Sequence, residues 1–240
     1  MRVLVTPDYR TLSRTAAELV IKAVRAKPDL TLGLPTGSTP LGMYEEIVRE
    51  YRDEHLDFSN MRTFNLDEYV GLLHDAPKSY HSYMRRHFFQ HVNVSPGNIN
   101  IPEGKPGVDF DAEAERYEKA IREAGGIDLL IVGIGTNGHI AFNEPGAPFD
   151  SRTRVVDLAP ETILNAQRHF GNEHVPRKAI TMGMGTIREA RRIVLLASGA
   201  HKANAVERAL RGPVSESVPA SALQLHPRVI VILDETVKKN

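Results

Sequence analysis

The stretch with the clearest chemical character is Ile127–Gly146, IDLLIVGIGTNGHIAFNEPG. It begins as an apolar run of the kind that parallel sheets bury on both faces, and it then breaks into glycines. Asn137, His139 and Glu144 follow within a few residues. Imidazole exchanges protons near neutral pH, and a neighbouring amide and carboxylate can orient it. Because ligands of open α/β sheets bind beyond the carboxyl ends of the strands, this group predicts a site.

Two other interpretations of this stretch stay open at this point. Gly133, Gly135 and Gly138 fit the G-x-G-x-x-G pattern of dinucleotide-binding turns, which a helix must follow directly. Pro145 and Gly146 interrupt the segment that would form that helix, so a dinucleotide is disfavoured. The other interpretation is a glycine-rich loop whose polar side chains only satisfy backbone groups. Three polar side chains in one short loop favour function over that alternative.

A turn rich in hydroxyl side chains follows the predicted strand Leu30–Leu34 and precedes a helix predicted from about Leu41. Backbone N–H groups, hydroxyls and the positive end of the helix dipole together attract an anion. No lysine follows the glycine, so the turn is not a Walker A loop, and a phosphate monoester is the expected ligand. An ordinary capped helix is the structural alternative. The residues concerned are Thr36, Gly37, Ser38 and Thr39.

Two further predicted strands end in charged residues. Met61–Leu66 leads into Asp67 and Glu68, where one carboxylate could act as a general base or both could belong to a solvated turn. Arg192–Ala197 is followed by a helix with Lys202 in its first turn, where a cation opposes the helix dipole unless it meets an anion. Since the carboxyl ends of parallel strands share one edge, the four polar groups are expected to converge on one pocket.

Histidines concentrate in the segment 77–92. His87 and His91 have the i, i+4 spacing of a zinc-binding pair, but no cysteine or placed carboxylate completes a ligand set. The aromatic residues around them favour an amphipathic helix over Pro77–Val92 with core contacts. We therefore predict no metal.

Composition and alternation define the fold class. The 240 residues carry 30 Lys+Arg and 30 Asp+Glu, and this balance argues against nucleic-acid or acidic membrane partners. No apolar run reaches the ~20 residues of a membrane span, no signal peptide is recognisable, and cysteine is absent, so we expect a cytoplasmic chain. Predicted strands and helices alternate throughout. They predict one α/β domain over residues 1–240, with a doubly wound, mainly parallel sheet flanked by helices, Rossmann-like but without a dinucleotide.

The whole chain resembles the glucosamine-6-phosphate deaminase family, whose members are also called glucosamine-6-phosphate isomerases. The resemblance covers essentially the full length and depends on several long motifs in the family's order, which makes it more specific than any single glycine pattern. The motifs are LGLPTGSTP (Leu32–Pro40), TFNLDEYVGL (Thr63–Leu72), GIGTNGHIAFNEPG (Gly133–Gly146), SRTR (Ser151–Arg154) and LQLHP (Leu223–Pro227).

The resemblance implies a cofactor-free conversion of glucosamine 6-phosphate and water to fructose 6-phosphate and ammonia. It assigns sugar-ring opening to His139, which Asn137 and Glu144 orient, and it assigns removal of the C2 proton to Asp67. A lid over about residues 147–177, and a monomer or homo-oligomer that binds a small sugar phosphate, are further expectations. The implied phosphate ligands are Thr36, Gly37, Ser38, Thr39, Arg168 and Lys202.

The chain departs from the family pattern at two positions. Many members have Asp at the position of Asn137; an amide oxygen can still accept the imidazole N–H, but Glu144 alone would supply negative charge. Val156 stands where a second basic residue of an effector site is expected, although Arg154 is kept. The resemblance therefore implies little or no activation by N-acetylglucosamine 6-phosphate.

Two other functions are compatible with a fold of this kind. A 6-phosphogluconolactonase shares the fold and the phosphate turn, but it does not need the paired DEYVG and HIAFNEP stretches. A sugar-phosphate sensor of a transcription regulator is disfavoured because no helix-turn-helix or basic segment is recognisable. Release of ammonia from glucosamine 6-phosphate would distinguish the three.

Overall fold

The computed structural model describes residues 1–54 and 56–238, and alternation of strands and helices runs through both segments. The strands are β1 (Arg2–Thr6), β2 (Thr31–Leu34), β3 (Arg62–Asn65), β4 (Asp67–Tyr69), β5 (Ile99–Asn100), β6 (Leu129–Gly133), β7 (Arg154–Asp157), β8 (Lys178–Thr181), β9 (Ile193–Ala197) and β10 (Val229–Asp234). The α-helices are α1 (Tyr9–Ala26), α2 (Leu41–Glu54), α3 (Tyr80–His87), α4 (Phe110–Glu123), α5 (Pro160–Phe170), α6 (Met184–Arg188) and α7 (Ala203–Arg211).

Seven of these strands form one parallel sheet in the order β1-β10-β9-β6-β2-β3-β5. From β2 the chain first winds outward to β3 and β5, and it then returns to the other side of β2 through β6, β9 and β10. The predicted doubly wound, mainly parallel α/β fold is confirmed. The direction of winding changes between β2 and β6, and such a switch point is where open α/β sheets bind their ligands.

The core lies on both faces of this sheet, as the apolar runs predicted. Leu129 and Ile131 of β6 pack into a cluster with the buried faces of α1 and α2. Leu130 and Val132 point the other way, into a cluster that includes residues of α4 and α7. Each of these four side chains is at most 1% exposed, so the strand is anchored on both sides and its carboxyl end is held rigidly.

A second, antiparallel sheet of three strands in the order β4-β8-β7 was not predicted. Its outer strands, β4 and β7, show no recognisable strand pattern in the sequence. Only Leu66 separates β3 from β4, so the sequence predicted a single strand over Met61–Leu66 that ends in a turn. In the structure Asp67 is the first residue of β4 and pairs with Thr181. The catalytic candidate is therefore fixed by strand pairing and does not lie in a free turn.

The helix predicted over Pro77–Val92 is shorter than expected. It ends at His87, because Phe88 leaves the helical conformation at φ −142°, and a single 3₁₀ turn, Phe89–His91, follows. Among the described residues, no helix has the length and apolar character needed to cross a bilayer.

Candidate active site

Four loops meet at the carboxyl edge of the sheet, after β3, β2, β6 and β9, which are consecutive strands across it. They enclose a cavity of about 240 Å³, too small for a dinucleotide. The described segment after Gly138 also forms turns instead of the helix that a dinucleotide site requires. The predicted convergence on one pocket is therefore present. The predicted residues that line the cavity are Thr36, Gly37, Ser38, Thr39, Asp67, His139 and Lys202.

The hydroxyl-rich turn after β2 leads directly into α2. Gly37 has a φ of +98°, a conformation that other L-residues rarely adopt, and it lets the backbone turn into the helix. The N-terminal end of the fourteen-residue α2 thus points at the cavity. Its dipole makes this end of the cavity suited to an anion, and the N–H of Gly42 in its first turn donates to the hydroxyl of Tyr9 at 2.9 Å.

Three tyrosines that no sequence pattern indicated hold the carbonyl groups of this turn. Tyr83 donates its hydroxyl to the oxygen of Gly37 at 2.6 Å, and Tyr44 donates to the oxygen of Pro35 at 2.5 Å. The hydroxyl of Tyr9 lies 3.1 Å from two further carbonyl oxygens of the same turn. These bonds direct the carbonyls away from an incoming anion. The tyrosines come from three different helices, so no sequence spacing connects them.

The two predicted cations occupy different places. Lys202 lines the cavity, and its Nζ donates to the carbonyl oxygen of Ile134 at 2.6 Å. Burial lowers the pKa of Lys202, and Glu161 partly opposes this effect. Arg168 is exposed on α5 and lies outside the cavity wall. It is close enough to His201 to contribute, after burial and Lys202, to lowering the pKa of that imidazole.

Asp67 is the carboxylate that faces the cavity from β4. It is 6% exposed, and burial, reinforced by the negative charge of Glu68, raises its pKa to about 8. A carboxylate with so high a pKa is a stronger base than an ordinary aspartate, and it operates near neutral pH.

Glu68 has a structural role, which leaves Asp67 as the carboxylate of this pair that lines the cavity. Its side chain is buried and accepts N–H bonds from the backbones of Tyr69, Tyr80 and His81, at 2.8 to 3.0 Å. It thus anchors the first turn of α3 to β4.

His139 is held at two points, its backbone N–H by the side chain of Asn137 and its imidazole ring by Glu144. Its Nδ1 lies 3.2 Å from Oε2 of Glu144, a close contact whose direction is not that of a hydrogen bond. The expectation that the Asn137 amide accepts the imidazole N–H is wrong. The oxygen of Asn137 instead accepts the backbone N–H of His139 at 3.1 Å, and its Nδ2 donates to Oε2 of Glu144 at 2.8 Å. Asn137 therefore positions Glu144, and Glu144 positions the ring.

The environment of Glu144 keeps it ionised. Burial alone would raise its pKa, but His139, Thr162 and Asn137 outweigh burial and lower the pKa to about 2. Its other oxygen accepts the backbone N–H of Ala159 at 3.3 Å, where α5 begins. The negative charge beside the imidazole is thus fixed over the whole physiological pH range.

Gly135, in the loop after β6, creates room for the imidazole. A Cβ on Gly135 would lie 2.2 Å from Cε1 of His139, so any side chain at this position would displace the ring. Ala141 has a φ of +52°, which is unusual for a residue with a side chain, and it lines the cavity. Of the three glycines that fit the dinucleotide pattern, Gly135 is therefore the one that makes space for His139, whereas Gly138 faces Val218.

Helix α5 covers one side of the cavity and contributes wall residues that were not predicted, Thr162, Asn165 and Ala166. It is tied to the loop after β6, where Thr136 donates its hydroxyl to Glu161. Asn165 donates to the same hydroxyl oxygen at 3.3 Å.

The histidine pair singled out for its zinc spacing does not converge. His87 ends α3, whereas His91 lies in the following 3₁₀ turn, 2.9 Å from the carbonyl oxygen of Arg86 and 3.3 Å from Nη2 of Arg52. The early end of α3 removes the i, i+4 geometry on which that interpretation depended.

Together, the parallel α/β sheet, the anion-binding turn and the facing carboxylate and imidazole define a proton-transfer enzyme that acts on a phosphorylated substrate. A model of the family described as glucosamine-6-phosphate isomerases/6-phosphogluconolactonase matches residues 8–231, and the chain belongs to this family.

Similar proteins include glucosamine-6-phosphate deaminases and a 6-phosphogluconolactonase. The glucosamine-6-phosphate deaminase of Halothermothrix orenii is 53% identical, over 98% of each chain, and that of Thermoanaerobacter pseudethanolicus is 50% identical over 98% of this chain and 93% of the other. A solved structure described as a monomeric glucosamine-6-phosphate deaminase matches with a TM-score of 0.97 at 46% identity, covering 99% of both chains. The 6-phosphogluconolactonase of Trypanosoma cruzi matches with a TM-score of 0.78 at 21% identity, over 100% of this chain and 96% of the other, which shows a common fold.

Proposed function

We propose that this chain is a deaminating isomerase that converts glucosamine 6-phosphate and water to fructose 6-phosphate and ammonia. The observation that carries this proposal is the single cavity in which an anion-binding turn faces both a buried, strongly basic Asp67 and the His139–Glu144 pair. The 46–53% identical relatives named as glucosamine-6-phosphate deaminases support the choice of substrate.

The phosphate is proposed to bind at the turn that opens α2. Hydroxyls and backbone N–H groups of residues 36–39 supply donors, and Lys202 supplies positive charge after exchanging its bond to the carbonyl of Ile134 for one to the phosphate. Arg168, exposed on α5, would reach the phosphate only by moving inward. Remote binding energy at the phosphate then holds the sugar's reactive carbons over the opposite end of the cavity.

Ring opening is assigned to His139. Its Nδ1 faces Glu144, so Nε2 is the nitrogen available to the sugar. It takes the proton of the anomeric hydroxyl and returns a proton to the ring oxygen as the C1–O bond breaks. The charge of Glu144 stabilises the imidazolium that forms between these two transfers.

Isomerisation is assigned to Asp67. In its ionised form it removes the C2 proton of the open sugar, which gives an enolamine, and delivery of a proton to C1 leaves an imine at C2. Water hydrolyses that imine to the ketone and ammonia, which completes the balance. The ammonium group carried by C2 of the substrate favours ionisation of Asp67 in the complex, because opposite charges at close range stabilise each other.

The decisive experiment measures ammonia released from glucosamine 6-phosphate by the wild type, Asp67→Asn and His139→Gln. Both variants should lose activity by about 10²–10⁴-fold while keeping phosphate-dependent binding of the product, since neither touches the anion turn. Wild-type protein that releases no ammonia but hydrolyses 6-phosphogluconolactone would replace this proposal with the lactonase. Binding without turnover of either compound would indicate a sensor.

Three wider features belong to the same proposal. The chain is proposed to act as a single domain with a lid over about residues 147–177, supported by the contacts of α5 with the loop after β6. A monomeric state is proposed on the strength of the monomeric neighbour at 46% identity. A cytoplasmic location is proposed because the substrate is a phosphorylated metabolite.

A further inference from the structure

A cluster of two histidines and a glutamate lies outside the cavity just described, beside the loop that joins β4 to α3. Donor atoms of His74, His81 and Glu103 all lie within 4.8 Å of one another. We propose that these three side chains bind a transition-metal dication of the zinc class.

The ligand set has the chemistry that zinc prefers. Two imidazole nitrogens and one carboxylate oxygen make a three-ligand site with a fourth position open to water. Oε2 of Glu103 already lies 2.7 Å from Nε2 of His74, so a metal would replace the proton that now joins them. All three side chains are partly exposed, at 42% for His74, 18% for His81 and 27% for Glu103, which leaves a path for an ion from solvent.

An independent feature points to metal binding. Nδ1 of His81 lies 2.9 Å from Oε2 of the buried Glu68, which fixes the ring and leaves Nε2 as the free nitrogen. Histidines that ligate metals commonly donate their other N–H to a carboxylate in this way, because the bond fixes the tautomer and makes the ligating nitrogen more basic. Glu68 itself is immobilised by backbone bonds, so one ligand is oriented in advance.

Binding requires a local rearrangement that the structure permits. The rings of His74 and His81 are stacked, with centroids 3.8 Å apart and planes 9° apart, and they must splay for both lone pairs to reach one ion. Nζ of Lys105 lies 3.3 Å from Glu103, but its side chain is 47% exposed and can swing into solvent. A bound ion would link the β4–α3 loop to the segment after β5, which the backbone bond from Gly71 to Gly104 already brings together at 2.7 Å.

The test is titration of the metal-free protein with Co²⁺, followed by the visible d–d absorption of low-coordinate cobalt and by competition with Zn²⁺. We expect saturation at one ion per chain and a rise in Tm with Zn²⁺ that grows with its concentration. His74→Gln and Glu103→Gln should each weaken binding by at least ~10–100-fold, the loss seen when even an outer partner is removed. Lys105→Ala should bind at least as tightly as the wild type.

His87→Gln is the matched control, because it removes a histidine from the far end of α3, the helix that also carries His81, and should leave cobalt binding unchanged. Deaminase activity and circular dichroism verify that each variant is folded. The proposal is overturned if no saturable absorption develops up to about millimolar Co²⁺, a concentration typical only of weak sites. It is also overturned if His74→Gln and Glu103→Gln both bind like the wild type, or if His87→Gln abolishes binding.

Discussion

At the scale of single residues, the burial of the Asp67 carboxylate lowers the free energy of unfolding of the protein. The folded protein holds this carboxyl's proton with a pKa of about 8, whereas an unfolded aspartate has the ordinary value of 3.8. The folded state therefore binds more protons than the unfolded chain between these two values, and the free energy of unfolding falls as pH rises through that window. The same burial that makes Asp67 a strong base makes the native state less stable.

Asp67→Asn should consequently be inactive and more stable. The amide has the same shape and needs no desolvated charge, so we expect a gain on the order of a few kcal/mol at pH 8 and little gain near pH 4. Each kcal/mol corresponds to about 2–4 °C in Tm for a chain of this size. Thermal unfolding of both proteins across this pH range is the measurement. A variant that is equally or less stable at pH 8 would contradict the buried-charge explanation.

The amide of Asn137 supplies a hydrogen-bond donor to Glu144, which an aspartate at the same position could not do. Because Nδ2 donates to Oε2 of Glu144, Asn137→Asp would set two carboxylates at hydrogen-bond distance. We expect a loss of about 1 kcal/mol or more in the free energy of unfolding at pH 7, and a smaller loss in acid, where the pair shares a proton. Urea unfolding at the two pH values measures it, with the exposed Asn172→Asp as control. An equal loss at both values would show that charge repulsion is not the cause.

That Asp67, His139 and Glu144 lie near one edge of the sheet could be predicted from sequence, because each belongs to a segment that follows a predicted strand. The hydrogen bonds around these three side chains could not be predicted from the sequence. Whether Asn137 faces the imidazole or the carboxylate depends on side-chain angles within the loop, and sequence order does not fix those. The role of Glu68 was hidden for the same reason, since its backbone partners at residues 80 and 81 lie in another element.

At the scale of elements, the phosphate turn depends on helices that surround it. Tyr83→Phe removes only the hydroxyl that bonds to the carbonyl of Gly37. A hydrogen bond contributes a net free energy of about 0.5–1.5 kcal/mol, so its loss should raise KM roughly 2- to 10-fold. The value of kcat should change little, because the turn binds the phosphate equally in the ground state and the transition state.

Steady-state kinetics with glucosamine 6-phosphate measure this effect. Tyr51→Phe is the control, because Tyr51 belongs to α2 and its ring stacks on Phe58 at 5.7 Å, away from the turn. Equal KM values for Tyr83→Phe and the wild type would show that the turn holds its shape without this bond.

The long parallel strands were predictable because burial on both faces leaves a continuous apolar signature, as in β6 and β9. The second, antiparallel sheet could not be predicted from the sequence. Strand β4 has only three residues, two of them acidic, and β7 is mostly half-buried, so neither shows a recognisable period. Pairing with β8 overrides these weak local preferences, and such pairing between distant segments is the information that a local pattern lacks.

At the scale of the whole molecule, we expect a monomer with simple saturation kinetics. Arg154 is the one basic residue kept of the implied effector pair, and its Nη1 is bound to Oδ1 of Asn143 at 3.0 Å and to the carbonyl of Arg152 at 3.2 Å. With Val156 in place of a second cation, N-acetylglucosamine 6-phosphate should leave both KM and the shape of the rate curve unchanged. Rates measured with and without it, beside light scattering at working concentrations, check this. A sigmoidal curve that the compound makes hyperbolic would refute it.

The four loops of the cavity come from segments spread between Thr36 and Lys202, and they are neighbours only because β9, β6, β2 and β3 lie side by side. No fragment of the chain that lacks either half can therefore hold the substrate at both ends. During refolding, enzymatic activity should therefore return in a single late step, when the central sheet is complete. It should not increase in proportion to helix content. Catalysis in this protein is then also a sensitive reporter of the intact native state.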